Sequence, residues 1–125
     1  MYNMKIAITA SNNDGLEAKV DSRFGRAPFF AIVDIDSLDI DFINNAATGA
    51  RGGAGVMAAQ TIVDQKVDAL ISGNFGPKAF SGLDAANIKL YSFQGGTIKE
   101  AIDSLKNGSL KDVSDPTNDT HAGLR

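Results

Sequence analysis

The residues best suited to bind a ligand form a glycine run with an arginine inside it, Gly-Ala-Arg-Gly-Gly-Ala-Gly at 49–55. Glycine has no Cβ, so a ligand can closely approach the main-chain N–H groups of such a run. A helical pattern begins at Ala54, and the first N–H groups of a helix are unpaired and lie at the positive end of its dipole. With the fixed charge of Arg51, this run predicts a cradle for an anion, and a flexible connection into the helix is the alternative.

Composition excludes several other chemistries. The chain of 125 residues has no cysteine, which removes disulfides, thiolate metal ligands and cysteine nucleophiles. Its net charge of −3 argues against nucleic acid as a partner. No apolar run approaches the ~18 residues of a membrane span, and the N-terminal residues lack the pattern of a secretory signal. We therefore expect a cytoplasmic protein without a membrane partner.

Motifs for nucleotide binding and for hydrolysis are incomplete. Gly53-x-Gly55-x-x-Ala58 matches the dinucleotide fingerprint, but no acidic residue ends the next predicted strand, and no Gly-Lys-Ser/Thr of a phosphate loop follows. The single histidine, His121, lies in a polar C-terminal stretch, so no Ser-His pair can form within a packed site. A nucleotide or phosphorylated metabolite, held by the same N–H groups, is kept as an alternative ligand.

Four aspartates lie close together around one predicted turn, namely Asp34, Asp36, Asp39 and Asp41. Alternating carboxylates could hold a hard cation, but neither a glycine nor a glutamate completes the spacing of an EF-hand loop. We interpret these residues as a solvated charge cluster that protects the edge of a sheet.

Three strands, followed by alternating helices and strands, are predicted to position the glycines. Apolar alternation predicts the strands and a helical period predicts the helices. The predicted strands are Met4–Ala10, Pro28–Asp36, Ile40–Asn44, Asp68–Ser72 and Ile88–Phe93, and the helices are Ala54–Lys66, Pro77–Asn87 and Ile98–Lys106. Thr97 and Glu100 form a predicted capping box before the last helix. The order β-β-β-α-β-α-β-α predicts an α/β fold with a single mixed five-stranded sheet and helices on its faces.

Chain direction places four loops at one end of this sheet, because the strands before them all run the same way. These loops are 11–26, 45–53, 73–78 and 94–97. Ten of the 13 glycines lie in or beside them, as do three of the four arginines, Arg23, Arg26 and Arg51. Ligands of open α/β sheets bind beyond the carboxyl ends of strands, so we predict a binding site here. The polar residues 114–125 are predicted to be a mobile tail beyond a single domain of residues 1–113.

Several sequence blocks resemble the dinitrogenase iron–molybdenum cofactor biosynthesis family. Residues 20–30, Val-Asp-Ser-Arg-Phe-Gly-Arg-Ala-Pro-Phe-Phe, are similar to its D-x-R-F-G-R-A signature. Gly53-Ala54-Gly55-x-x-Ala58-Ala59-Gln60 is similar to a second block, and 67–80, which contains Gly73-Asn74-x-Gly76-Pro77-Lys78, to a third. Thr97–Ile102 and a late His-x-Gly at His121 also fit. The resemblance covers nearly the whole chain in order, and it implies a fold similar to ribonuclease H.

This resemblance implies a non-enzymatic carrier of an anionic metal–sulfur cluster, with a role in cluster biosynthesis or trafficking. Nitrogenase accessory proteins of the family hold iron–molybdenum cofactor or its precursor, and small stand-alone orange proteins hold a molybdenum–copper–sulfide cluster non-covalently. Such a cluster brings its own sulfides, so a protein without cysteine can bind it through N–H groups, cationic side chains and an apolar wall. The residues implied are Arg23, Phe24, Gly25, Arg51, Gly52, Gly53, Ala54, Gly55, Asn74, Phe75, Gly76 and Lys78.

Several of these residues have a structural alternative. Arg23 could instead form an internal ion pair with Asp21 or Asp14, and Phe24 could pack in the core. Lys78 could be only a solvated helix residue. His121 is a candidate metal ligand or a tail residue without a role.

The identity of the cluster and of a metalloprotein acceptor or donor stays open at this stage. So does the question whether the purified protein would retain any cluster. The remaining alternative is a protein-interaction module that binds no ligand.

Overall fold

A computed structural model describes residues 4–45, 47 and 53–113 of the chain. A mixed β-sheet runs through its centre. The strands are β1 (Lys5–Ala10), β2 (Phe29–Asp34), β3 (Ile40–Asn44), β4 (Ala69–Ser72), β5 (Lys89–Ser92) and β6 (Lys111–Asp112). The α-helices of the described residues are α1 (Ala54–Asp64), α2 (Pro77–Ala85) and α3 (Ile98–Lys106), and a short 3-10 helix spans Gly15–Glu17. None of these helices is long and apolar enough to cross a membrane.

The strands lie in the order β3-β2-β1-β4-β5-β6. β2 is antiparallel to both β1 and β3, whereas β4 is parallel to both β1 and β5. The predicted single mixed sheet with helices is therefore confirmed. The predicted count of five strands is wrong, because β6 adds an antiparallel edge strand to β5 through the pairs Tyr91–Asp112 and Ser92–Lys111.

Each face of the sheet has its own hydrophobic core, because successive side chains of a strand point to opposite sides. On β1, Ala7 packs with residues of α1 and α2, whereas Ile6 and Ile8 pack with residues of α3. All six residues of β1 except Lys5 are buried. Such nearly continuous apolar strands are typical of the centre of a sheet that helices cover on both faces.

The predicted helices α1 and α2 are too long at their C-terminal ends. α1 ends at Asp64 and α2 at Ala85, shortly before Lys66 and Asn87, whose φ angles are 56° and 62°. A residue in this left-handed region cannot continue a right-handed helix, and it commonly follows a helix end. β3 and α3 have the predicted bounds, and the capping box of Thr97 and Glu100 is present.

The carboxyl ends of β1, β3, β4 and β5 lie at the same edge of the sheet. Ala10 and Asn44 both pair with Phe29, while Ser72 pairs with Ser92 on a strand parallel to β1. The predicted gathering of the loop starts at one edge is thus confirmed. We call this edge the rim.

Candidate functional site at the rim

A cavity of about 250 Å³ opens at the rim between the starts of α1 and α2 and the segment that precedes β2. Its lining residues are Ser22, Arg23, Phe24, Gly25, Gly55, Asn74, Gly76 and Ala79. Six of these eight were predicted from the sequence to bind a ligand. Ser22 and Ala79 were not, because a small residue comes to line a cavity only through its tertiary placement.

One wall of the cavity belongs to a segment that we call the strap, residues 19–23. Backbone pairing ties it to the rim through the bridges Ala10–Val20, Lys19–Thr97 and Arg23–Asn74. The N–H of Val20 donates to the carbonyl of Gly96 at 2.9 Å. The strap is therefore an ordered part of the sheet edge, although its sequence reads as a loop.

Two glycines let backbone segments meet where a side chain would keep them apart. A Cβ on Gly73 would lie 2.6 Å from the Cα of Ser22, a distance that real Cβ atoms do not show. A Cβ on Gly25 would lie 3.1 Å from the backbone nitrogen of Gly55. These close approaches bring the strap against the end of β4 and bring residue 25 against the first turn of α1.

Arg23, the charged residue of the lining, is held by Asp21. Its Nε donates to Oδ1 of Asp21 at 3.1 Å and its Nη2 to Oδ2 at 3.0 Å, while its backbone N–H donates to Oδ1 at 2.8 Å. The Asp21 side chain is 4% exposed and that of Arg23 is 62% exposed. The sequence left Asp21 and Asp14 as alternative partners for an ion pair of Arg23, and in the structure Arg23 pairs with Asp21.

The surroundings of Asp21 keep it ionised. Burial by itself raises the pKa of this carboxyl, but the hydrogen bonds from the side chain and backbone of Arg23 and from Ser11 outweigh burial and lower the pKa below 3.8. The same contact raises the pKa of Arg23. Asp21 takes the N–H of Nε and one N–H of Nη2, so both N–H groups of Nη1 and the second N–H of Nη2 are not used by this carboxylate.

The helices that begin at the rim differ in how their first N–H groups are used. α3 begins with the capping box, which occupies N–H groups with the side chains of Thr97 and Glu100. α1 begins after Gly53, whose φ of 71° favours glycine, and α2 begins after Gly76. Neither has a side-chain cap or an acidic residue in its first turn. Both therefore present donors and a positive dipole end at the cavity.

The predicted aromatic wall is mainly core. Phe24 is 3% exposed and Phe75 is 0% exposed. The ring centroid of Phe24 lies 5.8 Å from that of Phe75 and 5.8 Å from that of Phe30. Phe24 also lines the cavity, so it supplies an apolar surface there together with Ala79.

Two other predicted residues, Lys78 and Ala54, lie in the first turns of α2 and α1 and are not part of the cavity lining. Lys78 is exposed in the first turn of α2, and Ala54 is 8% exposed at the start of α1. The side-chain amide of Asn74 donates to the carbonyl of Ser22 at 3.3 Å, so it also secures the strap.

Three predicted residues, Arg51, Gly52 and His121, lie outside the described residues. Within the described ranges, no group of three or more His, Cys, Asp or Glu residues could hold a metal ion. The hydrogen-bond donors and the positive dipole ends at the cavity suit an anion.

Comparison with known proteins identifies the family. The family model described as dinitrogenase iron-molybdenum cofactor matches residues 4–108. The chain belongs to this family. An uncharacterised protein of Methanocaldococcus jannaschii is 33% identical to this chain over 111 residues, which cover 86% of this chain and 90% of that protein.

Solved structures agree with the assignment to the iron-molybdenum cofactor family. The apo form of the orange protein from Desulfovibrio gigas is 35% identical, with a TM-score of 0.87 over 92% of this chain and 97% of the other. A NifB-like protein of the DUF35 family from Thermotoga is 36% identical, with a TM-score of 0.79 over the same shares of the two chains. These relatives are similar in both fold and sequence, which supports a role in cofactor binding or carriage.

Proposed function

We propose that this chain is a non-enzymatic carrier that binds an anionic metal–sulfur cluster non-covalently in the cavity at the rim. The observation that carries the proposal is the convergence of Arg23 with the uncapped starts of α1 and α2 around one cavity. Membership of the iron-molybdenum cofactor family and similarity to the orange protein support the same role.

The residues at the cavity fit a cluster that brings its own sulfide ligands. Sulfides at the surface of such a cluster accept hydrogen bonds, and the helix starts and Arg23 supply donors. Gly25 and Gly55 line the cavity without side chains, and Phe24 and Ala79 supply an apolar surface. The chain has no cysteine with which to ligate iron or molybdenum directly. We propose an iron–molybdenum or a molybdenum–copper cluster as the cargo.

Further residues take part under this proposal. Lys78 adds positive charge beside the start of α2, and Gly53, Ala54 and Gly76 present backbone N–H groups. Arg51 and Gly52 complete the glycine-rich wall, and His121 is a candidate metal ligand from the tail. The placement of Arg51, Gly52 and His121 stays a prediction.

A metalloprotein that gives or receives the cluster is the partner that we propose. Val56 and Met57 follow Gly55 in the first turns of α1, and they are 49% and 47% exposed. Apolar side chains beside a cavity mouth suit a docking contact that covers the cargo during transfer. Affinity purification from the native cell should yield a metalloprotein in stoichiometric amount, and its loss in Met57→Asp would place the contact on α1.

Three broader assignments accompany the proposal. The order β3-β2-β1-β4-β5 with an antiparallel β2 supports a fold like that of ribonuclease H. The extent of the domain, residues 1–113, and the cytoplasmic location stay predictions.

The direct test is reconstitution. Purified protein mixed with tetrathiomolybdate and copper or iron should give a coloured complex that survives gel filtration. Arg23→Ala should weaken that complex. Unchanged visible spectra across all the mixtures would overturn the proposal.

A nucleotide or phosphorylated metabolite is the second candidate ligand, because uncapped helix starts also bind phosphate. A thermal-shift panel separates the two candidates. Stabilisation by nucleotides together with no response to thiometallates would reverse their order.

A further inference from the structure

A buried carboxylate lies beside the exposed cation of the proposed cluster site. Both oxygens of Asp21 accept hydrogen bonds from Arg23, and Oδ2 accepts a further one from Ser11 Oγ at 3.0 Å. The fork of a guanidinium matches the two oxygens of a carboxylate, which adds geometric specificity to the ion pair. Arg23 is therefore fixed on one edge although most of its surface is in water.

The carboxylate itself is anchored to the centre of the sheet. The N–H of Asp21 donates to the carbonyl of Thr9 at 2.9 Å, and its carbonyl accepts from Thr9 Oγ1 at 2.7 Å. Thr9 is fully buried on β1, where Oγ1 also hydrogen bonds with Ser72 Oγ of β4 at 3.0 Å. A chain of contacts thus runs from two central strands through Asp21 to the guanidinium of Arg23.

This arrangement is unfavourable for an anion on charge alone, because an ionised carboxylate beside the site repels a negative guest. It is favourable for orientation. An unheld arginine loses rotamer freedom when it binds a ligand, whereas an arginine already fixed by a partner loses less. The net effect of Asp21 on anion affinity therefore depends on which of these two contributions is larger.

We propose that Asp21 is the positioning residue of the cluster site, which holds the guanidinium of Arg23 at the cavity so that the N–H groups not used by Asp21 bind the anion. The inference rests on the proposed function, since it concerns the affinity of the same cavity. It assigns to Asp21 a part in ligand recognition without contact with the ligand.

The test is a double-mutant cycle with tetrathiomolybdate as the probe, titrated by its visible spectrum. Asp21→Asn removes a negative charge, so a model based on charge alone expects tighter binding. Positioning expects the opposite, a rise in Kd of about 10-fold, because the asparagine cannot accept both guanidinium bonds. With Arg23→Ala already present, the same substitution should change Kd by less than about 2-fold, since no guanidinium remains to be held.

A second variant covers a failure of Asp21→Asn to fold. Arg23→Lys keeps the charge at an exposed position but loses the fork, and it should also raise Kd by about 10-fold. Thermal unfolding of each variant checks that the fold is retained.

The outcomes separate the inference from the function on which it rests. Tight wild-type binding together with equal or tighter binding by Asp21→Asn, or by Arg23→Lys where Asp21→Asn is unfolded, overturns the positioning role alone. The positioning role is also overturned if Asp21→Asn weakens anion binding by the same factor in the presence and in the absence of Arg23, because Asp21 then acts only on the fold. A wild-type protein that leaves the spectrum unchanged overturns the proposed function, and the inference with it.

Discussion

The two ends of the sheet both carry a concavity, and the larger one is at the end away from the rim. That opposite concavity measures about 550 Å³, against about 250 Å³ at the rim. It is lined by Lys5, Ile32, Asp34, Asp39, Asp41, Lys66 and Asp68. Four carboxylates face two ammonium groups there, whereas Arg23 provides the charge in the lining at the rim. If the ligand site were chosen by cavity volume alone, the choice would fall on the end whose carboxylates repel an anion.

Two of the four carboxylates of the opposite concavity, those of Asp34 and Asp68, have structural roles. Oδ1 of Asp34 accepts from the backbone of Asp36 at 2.9 Å and of Ser37 at 3.2 Å, which closes the turn after β2. Oδ2 of Asp68 accepts from the backbone of Lys5 at 2.9 Å.

Asp36, Asp39 and Asp41 are exposed, as the interpretation of a solvated cluster expects. Helix starts supply donors at one end of the sheet, while carboxylates supply acceptors at the other. The two ends of the sheet therefore differ through the direction of the chain, which decides which end presents hydrogen-bond donors and which end presents acceptors.

The largest expected effect comes from breaking the fit between the rim and the strap. Gly73→Ala places a Cβ 2.6 Å from the Cα of Ser22, so backbone must move. The free energy of unfolding should fall by about 2–3 kcal/mol, the upper part of the range for overpacking. Urea unfolding measures it.

Gly82→Ala in α2 is the matched control, since its Cβ would meet Ala59 Cβ at an ordinary 3.8 Å. It should raise the free energy of unfolding by about 0.5–1 kcal/mol, the helix preference of alanine over glycine. A destabilisation of equal size in both variants would contradict the close fit at Gly73.

Removing one cation from each end sharpens the comparison of charge. Arg23→Ala should weaken the binding of tetrathiomolybdate by about 1–3 kcal/mol, the value of a hydrogen bond to a charged group. Lys66→Ala, at the opposite end, should change affinity by less than about 0.5 kcal/mol, because a distant exposed charge is screened. Equal losses would indicate that net charge, and not the rim, attracts the anion.

Arg51→Ala tests the glycine-rich wall beyond the described residues. Affinity for the same anion should fall by about 1–3 kcal/mol if Arg51 makes a charge-assisted contact. Thermal stability should scarcely change, because the position is in a predicted loop. Lost stability with unchanged affinity would make Arg51 a structural residue instead.

The smallest expected effect is on the free energy of unfolding at acidic pH. The pKa of Asp21 is lower in the folded chain than its ordinary value of 3.8, so the ionised carboxylate stabilises the fold above that value. This contribution is lost as the pH falls through the lower folded pKa. Between pH ~5 and ~2, the wild type should therefore lose more unfolding free energy than Asp21→Asn does. Urea unfolding at a series of pH values measures the difference.

Asp103→Asn is the control for this measurement. Its carboxylate is 57% exposed in a surface pair with Lys99. The substitution should change the free energy of unfolding by less than about 0.5 kcal/mol at neutral pH. Parallel acid curves for the wild type and Asp21→Asn would contradict a stabilising role for the ionised form of Asp21.

Local signals in the sequence were sufficient for most of the fold. α3 has both a capping box and an apolar stripe, and its predicted bounds are those observed. β6 could not be predicted, because two polar residues, Lys111 and Asp112, form it only by pairing with the edge of β5. The directions of the strands followed from their connections, because a turn or loop reverses the next strand whereas a helical crossover keeps it parallel.

The site was less predictable, because its geometry depends on contacts between distant parts of the chain. The clustering of glycines and of Arg23 in the loops at one end of the sheet indicated the position of the rim. No local pattern indicated that residues 19–23 form a strap, nor that Arg23 pairs with Asp21 in preference to Asp14. Phe24 shows the limit of residue type, since the same aromatic ring is suited to the core and to the wall of a cavity.

The backbone bonds of the strap have a consequence for biosynthesis. The N–H of Val20 donates to the carbonyl of Gly96. Next to the strap, the N–H of Ile98 donates to the carbonyl of Ala18 at 2.8 Å, so this early segment can form its bonds only when the late segment is present. A nascent chain therefore cannot close this wall until residues 96–98 have left the ribosome. Under the proposed function, the cluster therefore binds only after residues 96–98 have been synthesised.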